Sequence, residues 1–229
     1  MDESIILASN SPRRKELLRQ IGVRFESEPA YVDERILPGE GAEEYAVRVA
    51  LDKAIAAADR AGRGIIIAAD TIVVLGTTVL GKPVDAKDAE RMLGMLSGKM
   101  HTVITGLVLV DAGTGKTQKR VAVTHVWFRN LTDEEIVTYV ATGEPLDKAG
   151  AYGIQERGAL FVQKIEGCYF NVVGLPLSLL GEMLVDFGIN LFQMKGNTYI
   201  YISNSYQYIS VETIKILSYL FPKFICFLT

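Results

Sequence analysis

Ser9-Asn10-Ser11-Pro12-Arg13-Arg14-Lys15 places three cations directly after a hydroxyl and a proline of the kind that open a helix. Cations in a first helical turn oppose the macrodipole, by about 0.3–1 kcal/mol each. A bound anion reverses that balance, because the free N–H groups, the dipole and the guanidinium forks then all favour it. The segment is a candidate phosphate cradle, with Ser9, Arg13 and Arg14 as contacts. A solvated charged turn is the plain alternative.

A second candidate is Asp70, which follows the apolar run Ile65-Ile66-Ile67-Ala68-Ala69 and precedes Thr71. Read as the carboxyl end of a buried strand, it faces the crevice where α/β sheets hold ligands. A carboxylate beside buried aliphatic groups costs several kcal/mol unless paired, hydrated or metal-bound; otherwise it caps the following turn. Glu34, in Val32-Asp33-Glu34, is a second oxygen ligand for a hard cation such as Mg²⁺, which takes few carboxylates and relies on substrate phosphates. Alone, it is surface charge. Lys82 sits between Gly81 and Pro83, which stiffen its loop, and Lys53 falls just off the apolar stripe of a helix. Gly113-Thr114-Gly115-Lys116-Thr117 imitates the end of a phosphate-binding loop, but Val110 stands where the first glycine belongs, so a hairpin turn is expected. His101, His125, Cys168 and Cys226 have no zinc-type spacing; the histidines read as structural and Cys168 as a small buried residue.

The elements that would position these groups alternate between strand and helix. Ile5–Ala8 reads as a buried strand, followed by a helix from Pro12 that buries Leu17, Leu18 and Ile21 and stops at Gly22. Residues 42–61 form an amphipathic helix with Val47, Ala50, Leu51, Ala54 and Ala58 on its apolar stripe. Strands follow at 65–69, 72–75 and 79–80, then a helix over 85–96. Two long strands, 100–110 and 119–128, flank the Asp111–Gly115 turn. Thr132 caps a helix to about Ala141, and a helix over 175–187 follows a glycine-rich stretch. The fold class is mixed α/β, a mixed central sheet flanked by helices.

With 229 residues, 49% hydrophobic and 22% charged, the chain supports one substantial core. Its net charge of −3 argues against generic nucleic-acid binding. The start lacks the basic and long apolar parts of a secretion signal, so the cytoplasm is expected. After Phe192 the composition shifts: residues 193–229 hold half of the ten tyrosines and few charges. We read 1–192 as the domain and 193–229 as an atypical tail. Its apolar run from Ile214 to Leu228 is short and interrupted, so no membrane span is expected.

Leu7-Ala8-Ser9-Asn10-Ser11-Pro12-Arg13-Arg14, Ala69-Asp70-Thr71, Gly81-Lys82-Pro83, Ala149-Gly150-Ala151-Tyr152-Gly153-Ile154-Gln155 and Asn171-Val172-Val173-Gly174-Leu175-Pro176 together resemble the Maf family of nucleotide pyrophosphatases. The resemblance implies a fold similar to the inosine triphosphate pyrophosphatases, with a deep cleft, a divalent metal (Mg²⁺, Mn²⁺ or Co²⁺) and a cytoplasmic location; it also admits a homodimer. It assigns phosphate and substrate contacts to Ser9, Arg13, Arg14, Lys53 and Lys82, the proton acceptor to Asp70 and the metal to Glu34 and Asp70. Arg13, Thr71 and Gln155 match positions tied to specificity, the last two in the manner of the subgroup acting on dTTP and UTP. The expected reaction is hydrolysis of pyrimidine nucleoside triphosphates to monophosphate and pyrophosphate. A nucleotide-binding regulator of cell division and a pyrophosphatase of purine or methylated nucleotides are the competing readings. Cys168 departs from the family, where serine is more usual.

Overall fold

A computed structural model of the chain describes residues 4–193, 199–201 and 208–210. The elements of the main body are β1 (Ile5–Leu7), α1 (Pro12–Gln20), β2 (Glu26–Ser27), α2 (Ala42–Ala61), β3 (Ile65–Leu75), β4 (Thr78–Leu80), α3 (Ala86–Leu96), β5 (Met100–Asp111), β6 (Thr117–Phe128), α4 (Asp133–Ala141), β7 (Val162–Glu166), α5 (Tyr169–Val173) and α6 (Leu177–Asp186). Short 3-10 turns at Glu144–Asp147, Ala149–Ala151 and Arg157–Phe161 fill the stretch between α4 and β7.

The seven strands form one sheet in the order β2-β1-β3-β5-β6-β7, with β4 on the edge of β3. β1 runs parallel to β2 and β3, and every other pairing is antiparallel. Successive side chains of a strand face opposite ways. Along β3, Ile65, Ile67, Ala69 and Val73 enter the large core shared with α1, α3, α4 and α6. Ile66 and Ala68 instead pack on the alanines of α2, and Ile72 and Val74 on its Tyr45, Ala46 and Val49. The result is the expected mixed sheet with helices on both faces.

Helix ends follow local chemistry. The Ser11 side chain caps α1 and Pro12 fills its first position, while Asp85 Oδ1 accepts from Asp88 N–H at 2.8 Å to start α3. Thr132 and Glu135 cap α4 reciprocally. α2 stops at Gly62, whose φ of 64° suits glycine and whose N–H returns to Ala58 O.

Four expectations require correction. Residues 65–75 form one continuous strand, because β5 pairs with it from Ile65 to Val74 without a break. The buried face of α2 is Tyr45, Ala46, Val49, Ala50, Ala54 and Ala57, whereas Val47, Leu51 and Ala58 are only half-buried. The last helix begins at Leu177, with Pro176 as its cap residue. Cys168 is half-buried, at the start of α5. The hairpin at Asp111–Gly115 is present, and Asp111 Oδ1 accepts from Gly113 N–H at its turn. His101 is buried against Tyr152 and Phe128, and His125 pairs with Thr102. Past the main body, Tyr199–Tyr201 pairs antiparallel with Tyr208–Ser210. The run from Ile214 to Leu228, with Cys226, lies outside the described residues. Among the described residues no helix is long and apolar enough to cross a membrane.

Candidate active site

The site forms where the edge of β3 is left open. On that edge β1 pairs only as far as Ile67 and β4 only from Val73, so neither covers the residues between. Asp70 and Thr71 lie in the gap. Asp70 is therefore in the middle of its strand, opposite Gly106 of β5, and not at the end expected from sequence. What ends here is the neighbouring strand β1, and the chain leaving it supplies Ser9, Asn10 and the start of α1. The crevice at a sheet's strand ends is thus present, but β1 creates it.

Asp70 and Thr71 face opposite sides of the sheet, and each gathers its own cluster. Asp70 is buried at 8% exposure on the α2 side. Its Oδ1 accepts from Lys53 Nζ at 2.7 Å, and the same ammonium lies 2.7 Å from Glu34 Oε1. Lys53 reaches in because Ala46, Ala50, Lys53 and Ala57 share one helical face, so it belongs to the buried stripe that sequence placed beside it. The helix also sits unusually close to the sheet. A Cβ on Gly106 would lie 2.4 Å from the Ala46 carbonyl, so glycine at the position paired with Asp70 is what admits α2. Tyr45 donates to Glu34 O at 2.7 Å, which holds the Glu34 segment against α2. Burial beside Asp70 and Glu34 pushes the Tyr45 hydroxyl up to about 12, so it remains a donor at neutral pH.

On the other side Arg14 occupies the centre. Its Nε donates to Gly174 O at 2.8 Å, Nη1 to Ser9 Oγ at 3.2 Å and Nη2 to Thr71 Oγ1 at 3.0 Å. Burial lowers its pKa and the nearby Asp70 raises it in part; a guanidinium stays charged regardless. Ser9 Oγ also accepts from Ser11 N–H at 3.1 Å, closing the turn into α1.

The two arginines of the first helical turn therefore separate in role. Arg14 is held inside by protein acceptors, with further N–H groups left over. Arg13 turns away to Asp147 Oδ2 at 3.1 Å. Asp147 also pairs with the buried Lys148 at 2.9 Å, so Arg13 is tied to the segment that carries Gln155. An open cavity of about 520 Å³ lies there, lined by Glu144, Asp147, Lys148, Glu156 and Arg157 rather than by Asp70. Gln155 is exposed on the chain between this cavity's wall and the buried Ile154. Lys82 is exposed on its loop, which is anchored where Gly150 N–H donates to Gly81 O at 3.0 Å.

The structure thus unites Glu34, Lys53 and Asp70 in one cluster and Ser9, Arg14 and Thr71 in another. The side chains of Arg13, Lys82 and Gln155 make no hydrogen bond or ion pair to either cluster. Sequence reasoning missed Asp147, Lys148 and Thr105: Asp147 and Thr105 matter through contacts across more than thirty residues of chain, to Arg13 and Thr71, and Lys148 through its pairing with Asp147. Thr105, fully buried, lies 2.9 Å from Thr71 Oγ1.

Two carboxylates converging on one ammonium suit a hard divalent cation, since that position already satisfies positive charge between two oxygens. No group of three or more His, Cys, Asp or Glu side chains converges among the described residues, so most of such an ion's shell would come from substrate and water.

A family model described as Maf-like protein matches residues 4–187. A dTTP/UTP pyrophosphatase of Syntrophomonas wolfei is 50% identical over 187 residues, covering 82% of this chain and 99% of the relative. Proteins of the same name from Acetivibrio thermocellus and Gloeobacter violaceus are each 47% identical, over 82% and 84% of this chain and 98% and 100% of their own lengths. With the family model spanning most of its length and relatives this similar along theirs, the chain belongs to the Maf family.

Proposed function

We propose that the chain hydrolyses dTTP and UTP to the monophosphate and pyrophosphate. The observation that carries this reading is the buried Asp70 in the open edge of β3, paired with Lys53 and adjacent in the strand to Thr71, which receives Arg14 from the cationic start of α1. A protein that only bound nucleotide would gain nothing from a carboxylate placed among cations meant for phosphates.

In this reading Ser9, Arg14 and the first N–H groups of α1 bind the triphosphate, and Arg13, Lys53 and Lys82 add cations around it. Asp70 takes a proton from the water whose oxygen attacks the α-phosphorus. The bond from that phosphorus to the bridging oxygen breaks, and pyrophosphate leaves with the electron pair. Catalysis rests on positioning and on charge dispersal by fixed donors. Glu34 and Asp70 would hold a divalent cation, Mg²⁺, Mn²⁺ or Co²⁺, which when bound supplies further neutralisation of phosphate charge. Gln155 offers amide donors and acceptors to a pyrimidine edge, and Arg13 is the second specificity residue. The domain of residues 1–192 carries the activity, and we place it in the cytoplasm.

The test is pyrophosphate release from canonical and modified nucleoside triphosphates, with and without these metals, for the full chain and for a chain ended after Phe192. The expected result is metal-dependent turnover of dTTP and UTP by both, about 10-fold or more above purine nucleotides. Turnover confined to purine or methylated nucleotides contradicts the specificity, and tight binding without turnover favours the regulator.

A further inference from the structure

We infer that Thr105 is a positioning residue, which holds the Thr71 hydroxyl and through it the Arg14 guanidinium in the orientation that receives the triphosphate. This rests on the phosphate-binding role proposed for Arg14.

Thr71 Oγ1 has one proton and two lone pairs. One lone pair accepts from Arg14 Nη2 at 3.0 Å. Its other neighbours are Thr105 Oγ1 at 2.9 Å and Gly174 O at 3.5 Å. Gly174 O is already the acceptor for Arg14 Nε at 2.8 Å. The shorter contact directs the Thr71 proton to Thr105, and Thr105 in turn donates to Asn171 O at 3.4 Å. The donors then run inward in one sense, from Arg14 to Thr71 to Thr105 to the backbone. In the opposite sense Thr105 donates to Thr71, whose proton then has Gly174 O, 3.5 Å away, as its protein acceptor. In either sense the contact with Thr105 fixes the orientation of the Thr71 hydroxyl that receives Arg14.

The surroundings hold this chain in place. Thr105 and Asn171 are fully buried, and the Asn171 amide nitrogen donates to Val103 O at 3.1 Å and to Thr124 Oγ1 at 3.0 Å. Gly174 adopts φ 115°, a conformation other residues rarely take, and this turns its carbonyl to Arg14. Removing the Thr105 hydroxyl frees Thr71 to rotate, and the face of Arg14 turned to the cleft loses its alignment.

A ligand without a base reports the effect through Arg14 separately from any contact with the base. The affinity of the full chain for inorganic triphosphate is measured by calorimetry beside that for dTTP, for wild type, Thr71→Val, Thr105→Val and Thr105→Ser. Thr105→Val and Thr71→Val should each weaken triphosphate and dTTP alike, about 3- to 10-fold, the scale of one hydrogen bond. Thr105→Ser, which keeps the hydroxyl, should stay within about 2-fold of wild type. In an Arg14→Lys background Thr105→Val should cost nothing further, as coupled residues are non-additive. Thermal melting accompanies each variant, and Thr105→Ala replaces the valine if that chain does not fold. Losses seen with dTTP but not with triphosphate, unchanged affinities, additive losses with Arg14→Lys, or a wild type that does not bind triphosphate would each overturn the inference. None of these readings requires turnover, so failure of the proposed hydrolysis is seen separately, as triphosphate binding without pyrophosphate release from dTTP.

Discussion

Residue types were more readable than residue partners. Asp70 and Arg14 announced themselves as charges set against the local pattern, one beside a buried strand and one at a helix start. Their partners did not. Arg13 and Arg14 are adjacent and chemically alike, yet one pairs with Asp147 and the other with Ser9, Thr71 and Gly174. His101 shows the same limit: sequence marked it as structural, but only the fold shows its consequence. Burial lowers its imidazole to about 4, from an ordinary 6.5. Between those values the unfolded chain takes up a proton that the native protein refuses, so stability is complete above about pH 6.5 and is lost as pH falls toward 4. His101→Gln should therefore reduce the stability difference between pH 7 and pH 4.5 by roughly 2 kcal/mol, read from urea unfolding. An equal pH dependence in both proteins would contradict this.

At the scale of elements, α2 and α4 matched the expected ranges of 42–61 and about 132–141, because caps and periodicity mark them locally. The strand β7 and the short α5 were not read. Val162-Gln163-Lys164-Ile165-Glu166 is brief and half-exposed, and its strand state depends on pairing with β6. The phase of α2 was also misplaced, since an alanine-rich helix has little hydrophobic contrast and its buried face is chosen by the approach to Gly106. That approach makes a test. Gly106→Ala puts a methyl against the Ala46 carbonyl, and the forced shift should destabilise the protein by about 1–3 kcal/mol and reduce turnover, because α2 carries Lys53. Gly94, inside α3 with nothing within 4 Å of an added Cβ, is the control: Gly94→Ala should stabilise by about 0.5–1 kcal/mol. Equal effects at the two positions in thermal unfolding would remove the close approach from the explanation.

Across the whole molecule, alternation of strand and helix sufficed for the α/β class, while the active crevice depended on strand order. The open edge of β3 exists because β1 stops at Leu7 and β4 begins pairing at Val73, a topological fact with no local signature. Once that gap is in place, three elements bring residues from positions 9 to 71 together: β1 delivers the start of α1, α2 delivers Lys53 through its approach to Gly106, and β3 itself presents Asp70 and Thr71.

The most direct test of this arrangement is pyrophosphate release from dTTP by the full chain beside Asp70→Asn, with dTTP affinity measured on both. Removing the proton acceptor should lower kcat by about 10²–10⁴-fold while leaving dTTP affinity within about 3-fold of wild type. Turnover by Asp70→Asn within about 10-fold of wild type would contradict the assignment of Asp70 as the proton acceptor.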